Sequence, residues 1–220
     1  MATRPQPPEP RRPAPRLYVV APPATNPARL ADGITDALRA ADVAAVLLPL
    51  AGDDERALLN GVKALAAAVQ GAGAALLLNG RTDLVARAGA DGAHLTGTDE
   101  FSAAVASLKP DRIAGCGGLA TRHDAMLAAE SGADYVMFGE PDDRGHRPSF
   151  DAVLERVEWW AEVFEIPCVG FAMHPDEIAA LVTAGADFVA VGAFIFDDPR
   201  GLAAAMKDAQ ALLAIPEAVE

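Results

Sequence analysis

Short apolar runs alternate along this chain with longer stretches whose apolar residues recur at helical spacing. The runs predict strands at Leu17 to Val20, Val43 to Leu50, Ala74 to Leu78, Gly92 to Leu95, Arg112 to Gly115, Tyr135 to Phe138, Cys168 to Gly170 and Phe188 to Val191. Helices are predicted over 26–41, 53–70, 82–88, from Thr98 to near Pro110, over 121–131, around Trp159-Trp160 and over 200–214. Asn26 reads as a cap with Pro27 at the first helical position. Strands that are apolar throughout belong in a parallel sheet covered by helices. Eight such βα units predict a (β/α)8 TIM barrel of class α/β, with a doubly wound open sheet as the alternative.

The tripeptide Gly-Ala-Asp occurs at 89–91, 132–134 and 185–187, each time between an Ala-rich helical stretch and an apolar run. A glycine just past a helix supplies the left-handed residue that ends it, so the chain turns directly into a strand. Asp91, Asp134 and Asp187 then precede their strands, on the face of a barrel that serves stability.

The chain of 220 residues gives each unit roughly 25 residues, enough for one closed barrel. Residues 1–16 are rich in proline and arginine, lack an apolar segment, and read as a disordered arm; 17–214 is one domain and 215–220 a tail. Net charge is −13, and the arm holds four arginines against one acid, so the body is more acidic still. An acidic body repels phosphate backbones and anionic lipid, which argues against nucleic-acid and membrane partners. No stretch is long and apolar enough to span a bilayer. The two cysteines, Cys116 and Cys168, have no metal-binding spacing and fit a reducing cytoplasm as small core residues.

Chemistry-bearing residues gather after the strands. Asn79 and Arg81 follow the third, His94 ends the fourth, and Asp99 opens the next helix. Cys116-Gly117-Gly118 follows the fifth strand, and Arg122-His123-Asp124 lies in a helical first turn, where free N–H groups favour an anion. Gly139, Glu140, Asp142, Asp143, Arg144, His146 and Arg147 form an unusually polar loop after the sixth strand; His174 follows the seventh. Gly192 and Ala193-Phe194 follow the eighth, where many barrels bind phosphate. All four histidines thus fall at one end. Asp99 with Glu140, Asp142 or Asp143 would supply the oxygen ligands of Mg²⁺, although a first-turn position alone also accounts for Asp99.

Three segments carry a family likeness: Leu78-Asn79-Gly80-Arg81-Thr82-Asp83-Leu84, Gly89 to Leu95, and Gly132 to Gly139. In order and spacing they resemble thiamine phosphate synthase and its thiazole tautomerase relatives over most of residues 17–214. The resemblance implies a (β/α)8 barrel that couples a pyrimidine methyl pyrophosphate to a thiazole phosphate, releasing pyrophosphate with Mg²⁺. It implies small phosphorylated heterocycles as partners and a homodimer, for which Trp159-Trp160 is a candidate contact; packing of their helix onto the barrel is the other reading. His94 matches the family's strand-four histidine and Asp99 its second metal aspartate.

The chain also departs from the pattern. Gly80 replaces a metal-binding aspartate, Leu47-Leu48-Pro49-Leu50-Ala51 lacks the cationic pyrophosphate cluster, and Glu140-Pro141-Asp142-Asp143-Arg144 replaces a Thr/Lys-rich loop. Phe171 stands where a Gly-Gly phosphate turn has its second glycine. The candidate set is therefore His94 and His123 for proton transfer, Asn79, Arg81, Gly117, Arg122, Gly139 and Gly192 for substrate, and Asp99 for metal. Arg81, Arg122, Arg144 and Arg147 are the cations that would replace the missing cluster if they converge. Three functions fit: the coupling transferase, a metal-free isomerase using His94 or His123, or a non-catalytic barrel that binds phosphate or a heterocycle.

Overall fold

The computed structural model describes residues 13–142 and 144–214; residues 1–12 of the predicted arm, Asp143, and the predicted tail 215–220 lie outside the described residues. Eight strands follow one another in space as in sequence: β1 (Arg16–Val20), β2 (Val43–Leu48), β3 (Ala75–Asn79), β4 (Gly92–Thr96), β5 (Ile113–Gly117), β6 (Tyr135–Phe138), β7 (Cys168–Ala172) and β8 (Phe188–Val191). β8 pairs in parallel with β1, so the ring closes and the open-sheet alternative is excluded. Outside it lie α1 (Ala31–Ala40), α2 (Glu55–Gly71), α3 (Thr82–Ala88), α4 (Thr98–Leu108), α5 (Arg122–Glu130), α6 (Phe150–Val163), α7 (Glu177–Thr183), the short α8 (Ala193–Phe196) and α9 (Leu202–Leu212). None of these helices is long and apolar enough to cross a membrane.

Alternation along each strand sorts the apolar residues into two cores. Outward residues such as Leu17, Val19, Val46 and Leu76 pack against the helices. Inward residues, among them Tyr18, Leu47, Leu77, Tyr135, Met137 and Phe171, fill the barrel. A barrel of eight strands is just wide enough for side chains to fill it. The inner core is thus where a polar atom is most costly and most informative.

The repeated tripeptide works as a corner clamp. Gly89, Gly132 and Gly185 have φ of 73°, 98° and 92°, the left-handed region that a helix end requires. The alanine is buried in each case. The aspartate backbone N–H donates to the carbonyl of Leu76, Ala114 or Cys168 in the preceding strand, at 2.8–3.1 Å. Its carboxylate accepts from the N–H of the same residue, at 2.7 Å for Asp91 and 2.8 Å for Asp134 and Asp187. Each clamp fixes the register between neighbouring strands. Asp91→Ala strands the Leu76 N–H and is expected to cost about 1–3 kcal/mol in urea unfolding, without altering any ligand affinity.

Among the boundaries that depart from the sequence reading, four bear on packing or on the site. Arg16, placed in the arm, starts β1, and its guanidinium donates to Asp42 and to the Val43 carbonyl. Strand β2 stops at Leu48, and Leu50 forms only an isolated bridge to Ala24. The 26–41 helix begins as a 3-10 turn at Pro27–Leu30, and the Asn26 side chain makes no capping bond. That turn is seated on α2, where a Cβ at Gly61 would come within 2.6 Å of Pro27 Cδ. Strand β5 runs on past Gly115 through Cys116 and Gly117, which the sequence reading placed after the strand. Trp160 is fully buried, stacks on Phe164 at 4.1 Å and donates Nε1–H to the Ile166 carbonyl at 2.7 Å. It serves the packing of α6 on the barrel.

Candidate active site

At the carboxyl ends of the strands a cavity of about 380 Å³ opens between Asn79, Thr96, Gly118, Gly139, Glu140 and Arg156. That volume and position are those of a small-molecule site in a barrel. Gly118 and Gly139 have φ of 62° and 86°, and a Cβ at Gly139 would press within 2.8 Å of Val153. Both glycines are therefore required by backbone conformation and by space.

Beneath the cavity floor runs a chain of four polar side chains. Tyr18 and Tyr135, the only tyrosines in the sequence, have their hydroxyls 2.7 Å apart. The Tyr135 hydroxyl lies 2.9 Å from His94 Nδ1, and His94 Nε2 lies 3.2 Å from Glu140 Oε2. His94 is fully buried, while the Glu140 side chain keeps 15% of its surface open to the cavity. Register explains the assembly: His94 of β4 and Tyr135 of β6 both flank Gly115 of β5 at one level. A Cβ at Gly115 would overlap the Tyr135 ring, and one at Gly117 would collide with Glu140 and His94. Gly115 inside the predicted strand and Gly117 just beyond it are the missing side chains that make room for this chain.

Burial alone would push the Glu140 carboxyl up. The facing His94 charge, its hydrogen bond and the Gly118 N–H outweigh burial and hold the carboxyl below its ordinary value. Burial pushes both tyrosine hydroxyls well up, so they remain neutral phenols. His94 Nε2 is hydrogen-bonded to Glu140, His94 Nδ1 to the Tyr135 hydroxyl, and Tyr135 in turn to Tyr18, so every member of the chain has a partner. Cys116, buried in β5, is pushed up to about 12, first by desolvation and then by Glu140, Glu100 and Asp124, which makes it an inert thiol.

The arginines do not converge. Arg81 pairs with Asp83 through two bonds of 2.8 and 2.9 Å. Arg122 reaches Glu155 at 2.7 Å and lies 4.8 Å over the Trp159 ring. Arg147 forms a buried pair with Glu177, also bonds the Phe171 carbonyl, and so straps the 139–149 loop onto the end of β7. Neither these three nor Arg144 lines the cavity. Among the described residues the arginine that does is Arg156 of α6, whose guanidinium donates to the Leu119 and Ala120 carbonyls and pairs with no described carboxylate.

Of the remaining candidates, Asn79 lines the cavity, opposite His94 in the β3–β4 ladder, and Gly139 lines it too. His123 is exposed on α5, whose first turn is closed by a capping box between Thr121 and Asp124, not held open for an anion. His174 is exposed, and His146 lines the cavity beside Asp142. Gly192 caps the short α8 after β8. Asp99 is exposed in the first turn of α4. Among the described residues no group of three or more His, Cys, Asp or Glu side chains could share a metal ion.

A closed barrel with a polar cavity at the carboxyl ends of its strands defines a small-molecule enzyme scaffold. Residues 17–195 match the family described as thiamine monophosphate synthase. The chain is 41% identical to the thiamine-phosphate synthase of Rhodospirillum centenum, over 88% of this chain and 95% of that protein. It is 37% identical to that of Hyphomonas neptunium, over 91% and 95%. Among solved structures it resembles thiamine phosphate pyrophosphorylase from Pyrococcus furiosus, with a TM-score of 0.75 and 21% identity over 90% of this chain and 95% of that one. A 3-hexulose-6-phosphate synthase follows, at a TM-score of 0.68 and 16% identity over 90% and 100%. At those identities the structural likeness speaks for the fold alone. The chain belongs to the thiamine monophosphate synthase family.

Sequence reasoning missed Tyr18, Tyr135 and Arg156, and treated Glu140 only as a metal ligand. The tyrosines carried a readable signal: a hydroxyl inside an otherwise apolar strand needs a buried partner. No local pattern pointed to Arg156.

Proposed function

We propose that this protein is a transferase of thiamine biosynthesis that joins a hydroxymethylpyrimidine pyrophosphate to a thiazole phosphate, with release of pyrophosphate. The observation that carries this reading is the 41% identity over nearly the whole chain to a thiamine-phosphate synthase, with the cavity at the end of the barrel where such chemistry belongs. Asn79 and Glu140 bind the heterocycle from the cavity wall. Arg156 faces the pyrophosphate, since it lines the cavity and its described partners are the uncharged Leu119 and Ala120 carbonyls. The first-turn N–H groups of Ala193 and Phe194, after Gly192, receive the thiazole phosphate. Mg²⁺, which usually takes one or two carboxylates plus phosphate oxygens and water, belongs to this reading through the family resemblance, with Asp99 as its one protein carboxylate. A cytoplasmic location fits a chain of 220 residues with only two cysteines and no metal-binding cysteine spacing.

One observation favours a second reading. An ionised carboxylate bonded to a buried histidine at a cavity wall is a proton-transfer pair that needs no metal, as a thiazole isomerase requires. Incubating the protein with both coupling substrates decides between them. The expected result is thiamine phosphate and pyrophosphate in equal amounts. A folded protein that makes neither, yet exchanges a thiazole proton in a manner lost in His94→Gln, would establish the isomerase instead.

A further inference from the structure

Among the described residues, the cavity that this family assignment makes a heterocycle site is lined by two carboxylates, Glu140 and Asp142, and one guanidinium, that of Arg156. Such a wall suits a neutral or electron-poor ring bearing N–H groups more than it suits a second anion. Glu140 is the built part of that wall. One oxygen takes His94 Nε2, the Gly118 N–H supports the carboxylate, and 15% of the side chain stays open to the cavity. A carboxylate accepts about four hydrogen bonds, so capacity remains for a ligand.

We infer that Glu140 is the residue that selects an amino-bearing pyrimidine, by accepting a hydrogen bond from the exocyclic N–H of the ring, and that Tyr18 and Tyr135 position it through His94. The inference rests on the proposed function for the class of ring. It assigns to this chain an acidic recognition element at the start of the loop where the resembled family carries threonine and lysine. Positioning follows from the geometry. His94 has both ring nitrogens engaged, Tyr135 fixes one of them from below, and Tyr18 fixes Tyr135. The imidazole therefore cannot turn, and the carboxylate it holds is presented in one orientation.

The test compares two uncharged probes by calorimetry, a 5-hydroxymethyl-4-aminopyrimidine and the same ring with hydrogen in place of the amino group. A hydrogen bond to a charged group is worth enough that the parent protein is expected to prefer the amino ring by about 10- to 100-fold. In Glu140→Gln the single amide oxygen faces either His94 or the ligand, and the amide NH₂ meets the other donor. The preference is expected to fall to about threefold or less. Tyr135→Phe is expected to give an intermediate ratio; a purely structural tyrosine would lower stability and leave the ratio unchanged. A parent that binds both rings equally, or a Glu140→Gln variant with the parent's ratio, overturns the inference. Coupling activity with an unchanged ratio removes this inference alone. Amino-ring selection lost in Glu140→Gln, in a protein without coupling activity, removes the proposed reaction and leaves the recognition role standing.

Discussion

Gly115→Ala is expected to destabilise the barrel by about 3 kcal/mol or more, at the upper end of what overpacking costs. For a domain of this size that lowers Tm by about 6–12 °C. The added Cβ falls on the Tyr135 ring, which must move out of its stacked and hydrogen-bonded position. Tyr18 crosses it edge-on at 5.8 Å, His94 stacks on it at 5.7 Å, and all three are buried. Moving Tyr135 breaks two buried hydrogen bonds in addition to the packing. Gly117→Ala differs in kind, because its Cβ meets both the buried His94 ring and the Glu140 carboxylate at the cavity wall. Its stability cost is expected to be about 1–3 kcal/mol, and ligand binding suffers as well. Gly33→Ala is the control: its Cβ sits 3.9 Å from Leu202 in ordinary contact, within α1, and a gain of about 0.5–1 kcal/mol is expected. Calorimetric melting of the three variants checks the order. A Gly115→Ala protein melting with the parent would mean that the inner core is not packed around Tyr135.

These glycines also mark where the sequence was legible and where it was not. Local rules placed β6, β8 and α3 at their observed limits, because apolar runs and an αL glycine are signals contained within a few residues. The aspartates of the corner clamps were assigned to the structural face for the same reason. Gly117 misled, and the role of Gly115 inside its predicted strand was not foreseen, because the space both leave is used by residues 20 and more positions away. Nothing local links 18, 94, 135 and 140; closure of the ring brings them together. His94 was found because a histidine in an apolar strand is conspicuous by itself. The arginines failed as a cluster because Arg81, Arg122 and Arg147 each have a carboxylate within reach that satisfies them outside the cavity. Charge counting along a sequence cannot tell a paired guanidinium from an available one.

His94→Leu keeps much of the volume of the imidazole and removes only its polarity, so it isolates what the buried pair contributes. Stranding a buried charge costs about 3–5 kcal/mol. The lower end applies here, since Glu140 keeps its Gly118 bond and 15% exposure. The pH dependence carries the sign. In the parent the folded Glu140 carboxyl titrates below its unfolded value, so its contribution is fully present above the unfolded value and is lost as pH falls through the depressed one. In the variant His94 is gone and burial acts on the carboxyl against the Gly118 bond alone, which moves the folded value above the unfolded one. The charge then costs stability at neutral pH, and the cost relaxes as pH falls through the raised value. Urea midpoints of parent and variant are therefore expected to be furthest apart near neutrality and to approach each other on acidification. Adding Glu140→Gln to the variant should restore much of the loss at neutral pH, because the stranded charge goes with it. A gap that does not change with pH and is not reduced in the double variant would mean that His94 and Glu140 are not coupled. The recognition role of Glu140 would then lose its structural support.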